Sequence, residues 1–415
     1  MRALVAGGLL LAASAVAAET LTWEESVQRA AQANPELRAA TASLRAREFD
    51  TRAAGAGFRP QVSAGVGYAD VSGSASPTYG TTAPYSASIS VTQNLFAGFQ
   101  DQARVDQARA NEVAATAALD AARAKVSFDL KSAFAGLRRA DDDAKLAADI
   151  IHRREENLRL VELRFEGGRE NKGSYFLSRA ALAQARYDAL QAQHAVTVAR
   201  EQLARVLGMD NARDLTVTGE VPVTAPAAAI DVIPLVAASP ELRQAQAAER
   251  AAEAGITLAR SQLMPSLDLS GTHARLGSSF VPADDRNTVA LNLRIPIYSG
   301  GRNSAGVDSA RAGFAAVTDT RKNLQRDLTA RFQQAASTYV EAVAKLGVDE
   351  AFLEAAVVRA DIARRKYDNG LISFEDWDII ENDLVARQKA VLQSRRNRIV
   401  SEAAWEQLQG KGVFQ

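Results

Sequence analysis

Apolar residues at Val317, Leu324, Leu328, Ala335, Tyr339, Ala342 and Leu346 fall at steps of three, four or seven, the stripe of a helix packed in a coiled coil. Ordinary helix packing accounts for this stripe, and no binding role is assigned to it. Proline marks how far such helices run, because it removes a helical hydrogen bond and clashes with the preceding turn. None lies between Tyr85 and Val221 or between Ile297 and Gln415, and both stretches are rich in Ala, Leu, Arg, Glu and Gln, strong helix formers. From Phe99 to about Arg164 alone a helix would extend on the order of 100 Å, too long for a compact globular core.

Before each long helix the period drops to two. Ser86-Ala87-Ser88-Ile89-Ser90-Val91-Thr92 alternates residue by residue, as do Val62, Ala64, Val66 and Tyr68, then Leu267 and Leu269, then Val289, Leu291, Leu293, Ile295 and Ile297. This predicts four strands, at about 61–72, 85–97, 266–276 and 288–298, each with an apolar face and a face carrying Ser88, Ser90, Asp268, Ser270, Asn292 and Arg294. Segments 72–84 and 277–287 read as the hairpin loops. Strands of about 10 residues suit a membrane barrel that is apolar outside and wet inside, but the smallest such barrels use about eight. One chain cannot close one. Two or three copies would supply eight or twelve strands and remove the open edges.

The chain is internally duplicated. Asn34-Pro35-Glu36-Leu37-Arg38 matches Ser239-Pro240-Glu241-Leu242-Arg243, and Val105-Asp106-Gln107-Ala108-Arg109-Ala110 matches Val307-Asp308-Ser309-Ala310-Arg311-Ala312. From there the offset stays constant, pairing Phe165 with Tyr367, Gly168 with Gly370, Tyr175 with Trp377 and Gly208 with Gly410. The expected organisation is a first repeat over 19–215, a Pro-containing linker over 216–239 and a second repeat over 240–415, preceded by residues 1–18. Met1-Arg2 and the apolar run from Ala3 to Ala18 have the form of a secretory signal peptide. Cleavage after Ala18 or Ala17 leaves no Cys at the new N-terminus, so no lipid anchor is expected there.

Composition narrows the function classes. The 415 residues contain no Cys, so neither disulfides nor thiolate chemistry is available to an exported chain. Lys plus Arg and Asp plus Glu both number 49, which does not support a nucleic-acid surface. The histidines, His152, His194 and His273, are widely spaced, and no phosphate loop or nucleophile elbow occurs. No catalytic, cofactor or metal residue is nominated, and the chain is expected not to be an enzyme.

Taken together, the leader, the duplicated helix-strand-strand-helix units and the runs Asn34-Pro35-Glu36-Leu37 and Tyr298-Ser299-Gly300-Gly301 resemble the TolC family of outer-membrane efflux proteins over nearly the whole mature chain. The resemblance implies a mainly α fold with membrane β structure: a homotrimer whose copies each give four strands to a twelve-stranded barrel above a long coiled-coil tunnel in the periplasm of a Gram-negative bacterium. It also implies a periplasmic adaptor protein and an inner-membrane pump as partners. Matching the family's helical tips are Arg164, Gly168, Gly370 and Leu371, expected to meet the adaptor. Asp376 matches a family acid at the periplasmic gate. A second family acid falls on Ile379, leaving Asp378 or Glu381 as substitutes. Tyr367 matches a latch tyrosine, but the residue aligned with its acidic partner is Ser174. The implied function is a passive exit duct for drugs or other small molecules, paired with a pump of the resistance-nodulation-division type. Type I protein secretion and metal efflux are the alternatives within the family, and a periplasmic coiled-coil scaffold is the alternative outside it.

Overall fold

The computed structural model describes residues 20–69, 84–212, 214–227 and 230–414; the expected signal peptide and most of the first hairpin loop lie outside them. In order the elements are β1 (Thr20–Leu21), α1 (Trp23–Ala33), α2 (Pro35–Ala54), β2 (Gln61–Tyr68), β3 (Tyr85–Ala97), α3 (Gln100–Glu166), α4 (Lys172–Leu207), β4 (Thr216–Val217), α5 (Val232–Ala238), α6 (Pro240–Ser261), β5 (Ser266–Gly277), β6 (Asp284–Arg294), α7 (Arg302–Asp368) and α8 (Phe374–Leu408). Helices α3 and α7 are each 67 residues long, on the order of 100 Å. Their ends match residue for residue across the duplication.

Short motifs seen in the sequence are helix starts. Asn34 accepts hydrogen bonds from the amides of Glu36 (2.9 Å) and Leu37 (3.1 Å), and its own amide donates to the Val206 carbonyl at 2.8 Å. It thus caps α2 and ties that start to the end of α4. Ser239 has the same duty for α6, accepting from Leu242 N while its hydroxyl donates to the Val236 carbonyl. Pro35 and Pro240 follow as first helical residues, where proline's missing N–H costs nothing. At the strand-to-helix turns two consecutive residues take positive φ: Gly98 (60°) and Phe99 (67°), then Gly300 (65°) and Gly301 (83°). The Gly-Gly pair of the second repeat meets that backbone demand without strain, whereas Phe99 adopts it as a non-glycine.

The described residues form two compact units, one from those within 1–37, 123–230 and 333–415, the other from those within 38–122 and 231–332. The core of the first gathers Trp23, Ala30, Val126, Leu130, Phe134, Leu137, Leu203 and Leu207, with Trp23 edge-on to Phe134 at 5.4 Å. Lys131 donates to Glu406 at 2.6 Å, joining α3 to α8. The linker is held against α7 and α8: Tyr339 donates from its hydroxyl to the Thr224 carbonyl at 2.6 Å, and Thr224 N donates to Glu402 at 2.9 Å. That segment is more structured than an open connector, containing β4, which pairs in parallel with β1, and α5, which Asp231 caps.

In the second unit the four longer strands form one antiparallel sheet in the order β2-β3-β5-β6. The fourth strand differs from expectation, running over 284–294 and not 288–298. The alternation continues through Ile295 and Ile297, but Arg294 already pairs with Ser266, the first residue of β5. Pro296 then offers no N–H to a ladder. The loop accordingly shrinks from 277–287 to 278–283, and Asp285 and Asn287 become strand residues.

Candidate functional site

In the first unit the α3–α4 and α7–α8 hairpins end in two copies of one turn. Arg169 N donates to the Arg164 carbonyl (2.7 Å) and Gly168 N to Phe165 (3.0 Å). Leu371 N likewise donates to Lys366 and Gly370 N to Tyr367, both at 2.8 Å. Gly168 and Gly370 have φ of 67° and 72°, the left-handed residue such a helix end requires. Asn171 then caps α4 and Ser373 caps α8. Behind each turn lies a stacked aromatic pair, Phe165 on Tyr175 at 5.6 Å and Tyr367 on Trp377 at 4.4 Å.

The two turns are cross-linked through Tyr367, which is buried. Its hydroxyl donates to Glu170 Oε2 at 2.9 Å. The Arg164 guanidinium lies over its ring, 4.5 Å from the centroid, and donates to its main-chain carbonyl. Burial, then the hydrogen bond to Glu170, pushes the Tyr367 phenol far above its usual range, so it stays a protonated donor. The acid facing Tyr367 is therefore Glu170. Ser174, aligned by the resemblance, is buried and donates its amide to the Asn171 cap.

Other nominated residues separate. Gly168, Gly370 and Leu371 are exposed, whereas Arg164 is half-buried and turned inward by Tyr367; the exposed basic residue of that turn is Arg169. Asp376 is exposed, accepting from the Ser373 hydroxyl at 2.8 Å in the α8 cap. Asp378 is held by Arg154 at 3.1 Å, with side-chain exposures of 17% and 9%, and it also accepts from Asn382. That pairing commits its charge to the link between α3 and α8, and Glu381 is buried. Neither replaces the missing second acid on an open surface.

In the second unit one sheet face is apolar and uncovered. The register aligns Val62 with Val91, Ala64 with Ile89 and Val66 with Ala87, then Leu267 with Leu293 and Leu269 with Leu291. Val66, Val289 and Leu291 are 89%, 80% and 63% exposed. A bulge between Asn94 and Phe96 shifts the alternation, so Phe96 stands opposite Leu267 on this face. Aromatics bracket it: Tyr68, Tyr85 and Phe280 cluster at the hairpin end, and Phe96 packs on Phe99 at the other. The ten steps from Leu267 to Gly277 cover about 33 Å of strand, or about 25 Å of height at a barrel's ~40° tilt, the thickness of an outer-membrane apolar band. Polar pairs on this face, Arg275 with Asp285 (2.8 Å) and His273 with Asn287 (2.7 Å), sit in the rungs beside the Tyr85 end. The opposite face carries Ser63, Ser90, Thr92, Ser270 and Asn292. Strands β2 and β6 leave their outer edges unpaired among the described residues, and no described helix is long and apolar enough to cross a membrane.

The family model for outer membrane efflux proteins matches residues 26–209 and again 235–411. The chain belongs to the outer membrane efflux protein family. The two matches coincide with the two halves of the duplication. Among its relatives, outer membrane efflux protein BepC of Brucella suis biovar 1 is 24% identical, over 97% of this chain and 88% of BepC. Among solved structures, CusC superposes with a TM-score of 0.82 at 18% identity, covering 94% of this chain and 92% of that one. The outer membrane protein VceC of Vibrio cholerae gives 0.80 at 21% identity, covering 95% and 97%. Members of this outer membrane efflux protein family are channels rather than enzymes.

Proposed function

We propose that three copies of this chain form a passive outer-membrane exit duct, closed into a twelve-stranded barrel and fed by an inner-membrane pump through a periplasmic adaptor. The observation that carries this reading is the four-stranded sheet with an uncovered apolar face of membrane height, aromatic borders and two open edges. In water such a face and such edges are liabilities. Lipid against the face and neighbouring copies against the edges remove both, and the Ser- and Thr-rich side becomes the wet wall of the pore.

The helices of the first unit support assembly as well. Phe176, Tyr187, Leu190 and Val198 form an exposed stripe on α4, and Val340, Val348, Phe352, Val358 and Ile362 form another on α7. Both follow helical spacing, and a neighbouring copy's α4 laid on α7 would bury them. The exposed turns around Gly168, Gly370 and Leu371 are the surface offered to the adaptor, with Arg169 as their basic residue. Tyr367, Glu170 and Arg164 hold the entrance shut, and Asp376 contributes the acidic ring.

Small molecules exported by a resistance-nodulation-division pump are the proposed cargo, since only three His and three Met are present for handling soft metals. Energy comes from the pump, and the duct catalyses nothing. Native mass spectrometry of the detergent-extracted outer-membrane complex tests the proposal. A trimer is expected, and a monomer released from the periplasm without detergent would refute it in favour of a scaffold.

A further inference from the structure

Within the first unit, α3, α7, α8 and the linker enclose a cavity of about 370 Å³, large enough for a small ligand. Its apolar floor includes Phe134 and Val221, but its charged lining is lopsided. Arg138, Arg139, Arg395, Arg396 and Arg398 face three carboxylates. Two of those carboxylates are already engaged, Asp142 with Arg138 at 3.6 Å and Glu350 with Arg395 at 3.2 Å. The third, Glu220, is exposed at the rim.

Arg139, Arg396 and Arg398 make no hydrogen bond or salt bridge among the described residues, and the Nε–H groups of Arg139 and Arg398 are buried without an acceptor. A buried, unpaired guanidinium donor is costly and rare. Two of them, with the half-exposed and likewise unpaired Arg396 beside them, form around one concavity the donor set that bidentate oxyanion binding uses. The duplication does not repeat the cluster, since the constant offset places Glu341 opposite Arg139, and His194 and Val196 opposite Arg396 and Arg398. The paired positions carry no such cluster.

We propose that this cavity binds an anion with two or more phosphate or carboxylate groups, held by Arg139, Arg396 and Arg398. Calorimetric titration of the detergent-purified full-length protein with sodium pyrophosphate, and separately with citrate, tests it. Saturable binding is expected that weakens as sodium chloride is raised. The R139Q/R398Q variant should bind about tenfold or more weakly, while R326Q, an exposed arginine of α7 outside the cavity, should match the parent. R396Q changes a half-exposed residue and guards against a folding defect in the double variant; it too should weaken binding. Cardiolipin vesicles, with two phosphates per headgroup, that displace pyrophosphate would assign the oxyanion to a lipid headgroup, and displacement by soluble anions alone would assign it to a free solute. The proposal is overturned if neither probe binds, if the arginine variants bind like the parent, or if cross-linking places a carboxylate of a second copy in the cavity.

Discussion

Removing one oxygen from Tyr367 tests the proposed latch. Tyr367→Phe deletes the donor to Glu170 but keeps the ring that Trp377 stacks on and Arg164 covers. A hydrogen bond to a charged acceptor contributes about 1.5–3 kcal/mol, and the lower end applies because Glu170 is half-exposed. Three copies acting together would shift the closed-to-open balance by about 4–5 kcal/mol, on the order of a thousandfold. Glu170→Gln should act in the same direction through the acceptor. Single-channel recording of purified trimers in planar bilayers reads the fraction of time open. Tyr175→Phe is the control, since its hydroxyl reaches Glu162 only at 3.4 Å. The pH dependence adds a constraint. Raised in the fold, the Tyr367 phenol contributes fully below the ordinary tyrosine value of about 10, and the contribution fades only as alkali drives it through its folded value. Intact trimers of Tyr367→Phe and Glu170→Gln with parental gating would refute the latch.

Four further outcomes are expected. Asp376→Asn should reduce preference for cations in bilayer reversal-potential measurements. Val358→Glu combined with Leu190→Glu should abolish trimers in native mass spectrometry, because both positions lie on the exposed stripes. Gly208→Ala should destabilise the first unit by about 1–3 kcal/mol in thermal unfolding, because φ is 69° there and the new Cβ would meet the Ala33 carbonyl oxygen at 2.5 Å. Asp349 is buried and held by Lys345, then by Ser394, which keeps its carboxyl below the ordinary value. Its contribution is present above about pH 3.9 and lost on acidification, so melting curves of Asp349→Asn should fall less steeply below that pH than those of the parent.

Much of this fold was legible because the duplication presents each signal twice. The two 67-residue helices follow from proline's absence, and the turn glycines from helix ends that need a left-handed residue. Strand β6 was misplaced because alternation reports which face a residue takes and not where its partner strand begins. Ile295 and Ile297 keep the period, but β5 starts at Ser266 and Pro265 precedes it. The bulge that brings Phe96 onto the apolar face was likewise silent, since it shows only in the pairing register. Glu170 escaped because the aligned position is Ser174 while the acid lies four residues earlier, before the Asn171 cap. An acid in the turn itself was the available signal. Asp378 looked free in the sequence because Arg154, its partner, is 224 residues away.

The duplication also explains why the contacts between the two turns converge on one residue. Both turns share backbone geometry, but the residues filling them have diverged: Phe165 against Tyr367, Arg164 against Lys366, Ser174 against Asp376. Of the aligned pair Phe165 and Tyr367, only Tyr367 has a hydroxyl, and it donates to the first turn's Glu170. Of the aligned pair Arg164 and Lys366, only Arg164 has a planar guanidinium able to cover a ring and bond a carbonyl at once, and it does both to Tyr367. Each contact therefore runs from the first turn to the same residue of the second. A force that separates the two turns breaks the hydroxyl bond, the ring contact and the carbonyl bond together. Exchanging Arg164 for Lys should loosen the second turn while leaving the first ordered. Hydrogen exchange at Leu371 N against Arg169 N separates the two, and equal acceleration at both amides would show that the asymmetry lies elsewhere.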